Sequence, residues 1–137
     1  MRILSLDIGD RRIGVAISDA TGLIARPLGI FSRKGTASDT QAVAEFVREH
    51  EVGLVIIGMP ISLGGHYGPQ AEKVKKFGES LGASLSIPLK FWDERFSTST
   101  ARQQRLESGS PKKKRRSPDD DAAAAVILQS YLDSTRL

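Results

Sequence analysis

Two short runs of period-two hydrophobicity near the amino terminus constrain the fold most. In the first, Leu4, Leu6 and Ile8 fall on one face of a strand and Ser5 and Asp7 on the other; Ile13, Val15 and Ile17 repeat the pattern around small Gly14 and Ala16. Gly9-Asp10 between them is a turn signal, so the runs are expected to pair as an antiparallel hairpin. The hairpin sets one carboxylate, Asp7, at the end of an inner strand. Gly9 beside it lets another group come close, an arrangement suited to a metal ion or a phosphate.

The rest of the chain narrows the chemistry. With 137 residues, 39% of them hydrophobic, it is long enough to bury one core and is expected to be a single soluble domain, 1–137. No apolar run approaches a membrane span, and the first strand is too short and too acidic for a signal peptide, so a cytoplasmic protein with no membrane partner is expected. Cysteine is absent, which removes disulfides, thiolate zinc sites and cysteine nucleophiles together. His50 and His66 are too few for a nitrogen-rich zinc site, so metal chemistry here calls for oxygen ligands and hence Mg2+ or Mn2+.

The net charge is +4, yet five positive charges sit in the single run Lys112, Lys113, Lys114, Arg115 and Arg116, without which the chain carries −1. Such local basicity fits a polyanion approaching one edge through a mobile loop at about 108–118; a solvated loop that aids solubility is the plainer alternative.

In chain order, a third strand is expected over Ile24–Phe31, at an edge because of Pro27. A helix should run from Thr36 or Ser38 to about His50 with Ala42, Val43, Phe46 and Val47 inward, followed by a doubly covered strand at Leu54–Ile57. Pro69 opens a second helix carrying Ala71, Val74, Phe77 and Leu81, and Leu89–Trp92 forms a strand running into Asp93-Glu94-Arg95. A helix capped by Ser97 or Thr98 is expected to about Glu107, and a last one after Ser117-Pro118, ending near Asp133. The architecture that follows is an α/β sandwich with a mixed five-stranded sheet flanked by helices, where sites form just beyond strand ends.

The last helix can be tested by angle. Ala124, Ile127, Leu128, Tyr131 and Leu132 form one stripe, and relative to Ala124, Asp120 lies about 40° away, Asp121 about 60° to the other side and Asp119 about 140° away. Asp120 is best aimed inward, with Asp121 its rival and Asp119 better suited to capping the helix or to a favourable charge at the positive end of its dipole. Asp7, the pair Asp93-Glu94 and Asp120 are then expected to converge on one edge. Clustered carboxylates repel, and hard divalent cations relieve that repulsion; a pair of such ions activates water for in-line phosphodiester cleavage without a protein nucleophile.

These residues fall into an ordered set: Leu6-Asp-Ile-Gly9 with Arg12-Ile-Gly-Val-Ala16, Gly58-Met-Pro60, Asp93-Glu-Arg95 with Ser97-Thr98, and Asp120 followed by the alanine run and Ile127-Leu-Gln-Ser-Tyr-Leu-Asp133. Nearly the whole chain thereby resembles the YqgF/RuvX family. The resemblance implies a ribonuclease H-like fold and a metal-dependent nuclease, acting on Holliday junctions or maturing the 5′ end of precursor 16S ribosomal RNA, with metal-binding catalytic carboxylates at Asp7, Glu94 and Asp120. Two departures are the run of three aspartates at 119–121 and Met59 in place of the more usual leucine, a volume-conserving change.

Arg11, Arg12 and Arg95 are candidates for contacting phosphate or orienting the acids, with surface ion pairing equally expected, and Lys112–Arg116 for backbone contacts. His66 and Tyr67 are weaker nucleic-acid candidates, and Phe91 and Trp92 read as core aromatics. Two other functions stay open at this level. One is a non-catalytic RNA-binding ribosome assembly factor. The other is an ATP-binding phosphotransferase, for which Asp7-Ile-Gly9 is suggestive but a second lobe and an adenosine motif are missing. A junction-cutting enzyme is expected to be a symmetric homodimer, although no dimer surface is legible.

Overall fold

The computed structural model describes residues 1–61, 65, 68–96 and 119–135, and for 119–121 the helical backbone alone. The elements in order are β1 (Arg2–Ile8), β2 (Arg12–Ser18), β3 (Ala25–Ser32), α1 (Thr36–Glu49), β4 (Val52–Met59), α2 (Pro69–Ser84), β5 (Leu89–Asp93) and α3 (Asp119–Ser134). The strands form one mixed sheet in the order β3-β2-β1-β4-β5. The first three strands are antiparallel neighbours, whereas β4 and β5 run parallel to β1, so β1, β4 and β5 end at the same edge.

Alternation along each strand divides the core in two. Leu4, Leu6, Ile8, Val15, Val55 and Ile57 point to the face covered by α1 and α2, where Val43, Val74, Phe77 and Leu81 meet them. Ile3, Ala16, Leu54 and Ile56 point to the other face and pack on Ala124, Ile127, Leu128, Tyr131 and Leu132 of α3, the stripe found by angle. Burial on both faces explains why β4 reads as a continuous apolar run. β3, at the open edge with Pro27, is the most exposed strand apart from short β5.

Three expectations change. Phe91 is not a core aromatic: its ring lies across Gly78 of α2 but is 38% exposed, because β5 is the other edge strand. α3 begins at Asp119 itself, which puts Asp119 in the first helical turn, the dipole alternative rather than the cap. Within α1, Asp39 and Thr40 are buried although the sequence placed only apolar residues there. The expected helix at 98–107, the basic run Lys112–Arg116 and the residues Ser97, Thr98, His66 and Tyr67 lie outside the described residues. Among the described residues no helix is long and apolar enough to cross a membrane.

Candidate active site

Asp7 is the penultimate residue of β1 and sits on the α3 face with Ile3 and Ser5. Its register partner on β2 is Gly14, which places no side chain of its own beside it. The turn that follows is held at four points. Gly9 N–H donates to the Arg12 carbonyl at 2.9 Å, and Gln70 of α2 donates from Nε2 to the Ile8 carbonyl at 3.3 Å. Arg33 donates from Nη1 to the Gly9 carbonyl at 3.2 Å and from its backbone N–H to the Arg11 carbonyl at 2.8 Å. A β-carbon on Gly9 would come 2.9 Å from the Arg12 carbonyl oxygen, so only glycine lets this turn close.

Arg33 is itself oriented. Its Nε donates to the Asp39 carboxylate at 3.1 Å, and its guanidinium lies 5.2 Å from the centre of the Phe77 ring. Asp39 is 1% exposed and also accepts the Lys34 N–H, so both its oxygens are engaged. Sequence reasoning missed this strut. An acid in the first turn of a helix is ordinarily a favourable charge at the helix dipole, and nothing local says that it will be buried against an arginine six residues back.

Glu94 arrives from β5. Trp92 and Glu94 continue the α3-facing alternation, while Asp93 between them turns aside. Glu94 N–H donates to the Met59 carbonyl at 3.0 Å, which ties the end of β5 to the end of β4. Its carboxylate sits over Gly58: a β-carbon there would meet Glu94 Oε2 at 2.9 Å and Ile127 Cδ1 at 2.7 Å. Gly58 is thus the cradle that admits the acid, a role the sequence reading did not assign within Gly58-Met-Pro60.

The electrostatics separate the two neighbouring acids. Asp93 is held below the usual carboxylate range by Arg95, whose Nη2 lies 2.6 Å from Oδ2 and whose backbone N–H donates to Oδ1 at 2.9 Å. Arg95 and Asp93 thus form an ion pair just past the end of β5. Glu94 is pushed from 4.5 up to about 7, first by burial, then by the negative charge of Asp7 and then by that of Asp93. The charge of Asp7 is felt at Glu94, which lies over Gly58 of β4, the strand between β1 and β5.

Asp7, Gly9, Asp10, Arg11 and Arg12 line an open hollow of about 300 Å³ at this edge, with both arginines exposed at its rim. A larger hollow of about 520 Å³ lies between β3 and α1 and is lined by none of the candidate site residues. Ser5 Oγ donates to the Ala124 carbonyl at 2.7 Å, and Gln129 farther along α3 reaches Ala25, near the amino end of β1. α3 therefore runs opposite to β1, and its first turn, where Asp120 stands, is at the Asp7 end of the sheet. Among the described residues no three potential ligands form a metal cluster.

The donor set nonetheless fits a hard divalent cation. It is all oxygen, and Glu94, raised first by burial and then by the negative charge of Asp7, is a carboxylate that a nearby cation would keep ionised. Gly58 leaves the room a side chain would have filled.

A mixed five-stranded sheet with the acid pair at the ends of its parallel strands, and helices on both faces, defines a ribonuclease H-like protein. Its fold matches that of Thermus thermophilus RuvC solved with a Holliday junction substrate (TM-score 0.70, 13% identity, 99% of this chain and 95% of that one). The fowlpox virus Holliday junction resolvase matches as well (TM-score 0.55, 19% identity, 98% and 99%). The chain belongs to the RuvX family, described as Holliday junction resolvase, whose model matches residues 1–134. It is 45% identical over 137 residues to a protein of Caldanaerobacter subterraneus subsp. tengcongensis named "Putative pre-16S rRNA nuclease", covering 99% of both chains. A protein of the same name from Thermoanaerobacter pseudethanolicus is 42% identical over 137 residues, again covering 99% of each.

Proposed function

We propose that the protein is a divalent-metal-dependent endonuclease that hydrolyses phosphodiester bonds in structured nucleic acid, either at the 5′ end of a ribosomal RNA precursor or in a branched DNA. The observation that carries this reading is the acid pair itself: Glu94 beside Asp7, raised to about 7, in a cradle that exists because residue 58 has no side chain.

In this reading Asp7 and Glu94 hold the cation, with Asp120 supplying a third oxygen from the first turn of α3. When bound, Mg2+ or Mn2+ supplies an activated water and stabilises the charge building on the leaving oxygen. Asp93 and Arg95, locked to each other, fix the backbone on either side of Glu94. Arg11 and Arg12 at the rim of the hollow, together with Lys112, Lys113, Lys114, Arg115 and Arg116, provide cations for the phosphate backbone.

The test sets a four-way DNA junction beside a ribosomal RNA precursor, each with Mg2+ or Mn2+, for the wild type and Asp7→Asn. Cutting of either substrate that chelator and Asp7→Asn both abolish supports the reading. Tight binding with no cutting, unaltered in Asp7→Asn, replaces it with a non-catalytic RNA-binding assembly factor.

A further inference from the structure

The hollow of about 520 Å³ beside β3 has this edge strand as one wall and α1 as the other. Ala42, Glu45, Phe46 and Glu49 share one stripe of α1 and, from Ser38 onward, line the helix wall over roughly 16 Å. Phe31 of β3 meets Phe46 across it, with ring centroids 6.3 Å apart. Of the charged groups in the lining, Asp39 is already paired with Arg33, Lys34 precedes the amino end of α1, and Glu45 and Glu49 are exposed along the rest.

The strand wall is open to hydrogen bonding. Arg33 N–H donates to the Arg11 carbonyl, so by antiparallel alternation Ile30 and Ser32 turn their backbone N–H and C=O groups away from β2. No strand lies beyond them among the described residues. Two features that guard an edge, Pro27 and the register shift opposite Val15 and Ala16, fall in the other half of β3 and leave residues 29–32 regular. Residues 97–118 join β5, at the far edge of the sheet, to α3, on the opposite face from α1.

We propose that this groove docks an extended, basic segment of a partner protein, which adds to β3 as a further strand; the inference goes beyond the nuclease reading and stands apart from it. A segment laid along Ile30 and Ser32 exchanges main-chain bonds with them and directs alternate side chains into the hollow. An apolar side chain fills the space among Phe31, Ala42 and Phe46, and lysines or arginines farther along the segment meet Glu45 and Glu49. The same two glutamates repel phosphate, so a nucleic acid is directed to Arg11 and Arg12 instead. A second copy of the chain fits poorly, because a two-fold contact sets one hollow against the other and fills neither.

The experiment uses the full chain to select from a displayed library of random peptides of about ten residues, with Ala42→Arg, which fills the hollow, as the counter-selection. The wild type is expected to enrich peptides in which apolar and basic residues alternate. A selected peptide should bind the exposed double variant Glu45→Lys, Glu49→Lys about fivefold more weakly or worse, lose binding when alternate backbone amides are methylated, and shift the amide NMR signals of Ile30, Ser32 and Ala42. The proposal is overturned if nothing is enriched over Ala42→Arg, if the enriched peptides are acidic, if charge reversal or amide methylation leaves the affinity unchanged, or if the shifted signals lie outside β3 and α1. A dimer in sedimentation that Ala42→Arg dissolves would give the groove to a second copy, and displacement of the peptide by an oligonucleotide would give it to nucleic acid; either result overturns the proposal too.

Discussion

The carboxylate of Glu94 occupies the space that a side chain at Gly58 would fill, so that even a methyl group there would come 2.9 Å from Oε2 and 3.1 Å from Cγ. The acid from β5 is thus positioned by what β4 lacks. Ile127 of α3 closes the same space from above.

Gly58→Ala tests this directly. The displaced atoms are ends of side chains, so the fold survives with a loss of about 1–3 kcal/mol by thermal unfolding. Moving Glu94 by a fraction of an ångström or more is expected to lower cleavage by tenfold to a hundredfold. Cleavage equal to the wild type would mean that Glu94 is not held where the site needs it.

Glu94→Gln reports the electrostatics through stability. The folded protein raises Glu94 from 4.5 to about 7. Below about pH 4.5 the group is neutral in both states and costs nothing; as pH climbs from there to about 7 the unfolded chain ionises first, and stability is lost. Glu94→Gln should therefore match the wild type at low pH and exceed it by on the order of 2 kcal/mol above pH 7, without added metal. Mn2+ should narrow that gap by stabilising the wild type selectively. A Tm difference that does not change with pH would contradict the shift.

Asp39→Ala removes one partner of the strut that holds the Asp7 turn, leaving the Arg33 guanidinium against Phe77 and the Gly9 carbonyl without its counterion. A loss of about 2–4 kcal/mol is expected, seen as a fall of roughly 10 °C in Tm. Asp10→Ala, which removes only the exposed 3.8 Å pair with Lys73, should change stability by less than about 0.5 kcal/mol. Equal effects from the two would show that the Arg33–Asp39 pair is not structural.

The contrast between these two aspartates also marks what the sequence discloses. Alternation in β1 and the angular stripe on α3 are local periodicities, so the α3-facing position of Asp7 and the burial of Ala124, Ile127, Leu128, Tyr131 and Leu132 were both legible. That Glu94, and not Asp93, lies on the α3-facing side with Trp92 needed only that the alternation be extended by two residues. The Asp93–Arg95 pair falls on the same two-residue period, but nothing local says that the two side chains lock to each other rather than point into solvent. The Arg33–Asp39–Gly9 strut and the Gly58 cradle depend on how a loop, a helix and three strands are juxtaposed, and long-range packing of that kind leaves no periodic trace.

Calorimetric titration of Mn2+ into the wild type, Asp7→Asn and Glu94→Gln near pH 7, in two buffers of different ionisation enthalpy, tests the shared-cation claim most directly. The account predicts that the wild type binds and releases part of a proton, because Glu94 titrates near 7 and must ionise to bind. It also predicts that either substitution weakens binding at least tenfold. Equal affinity in all three proteins, with no proton released, would contradict it.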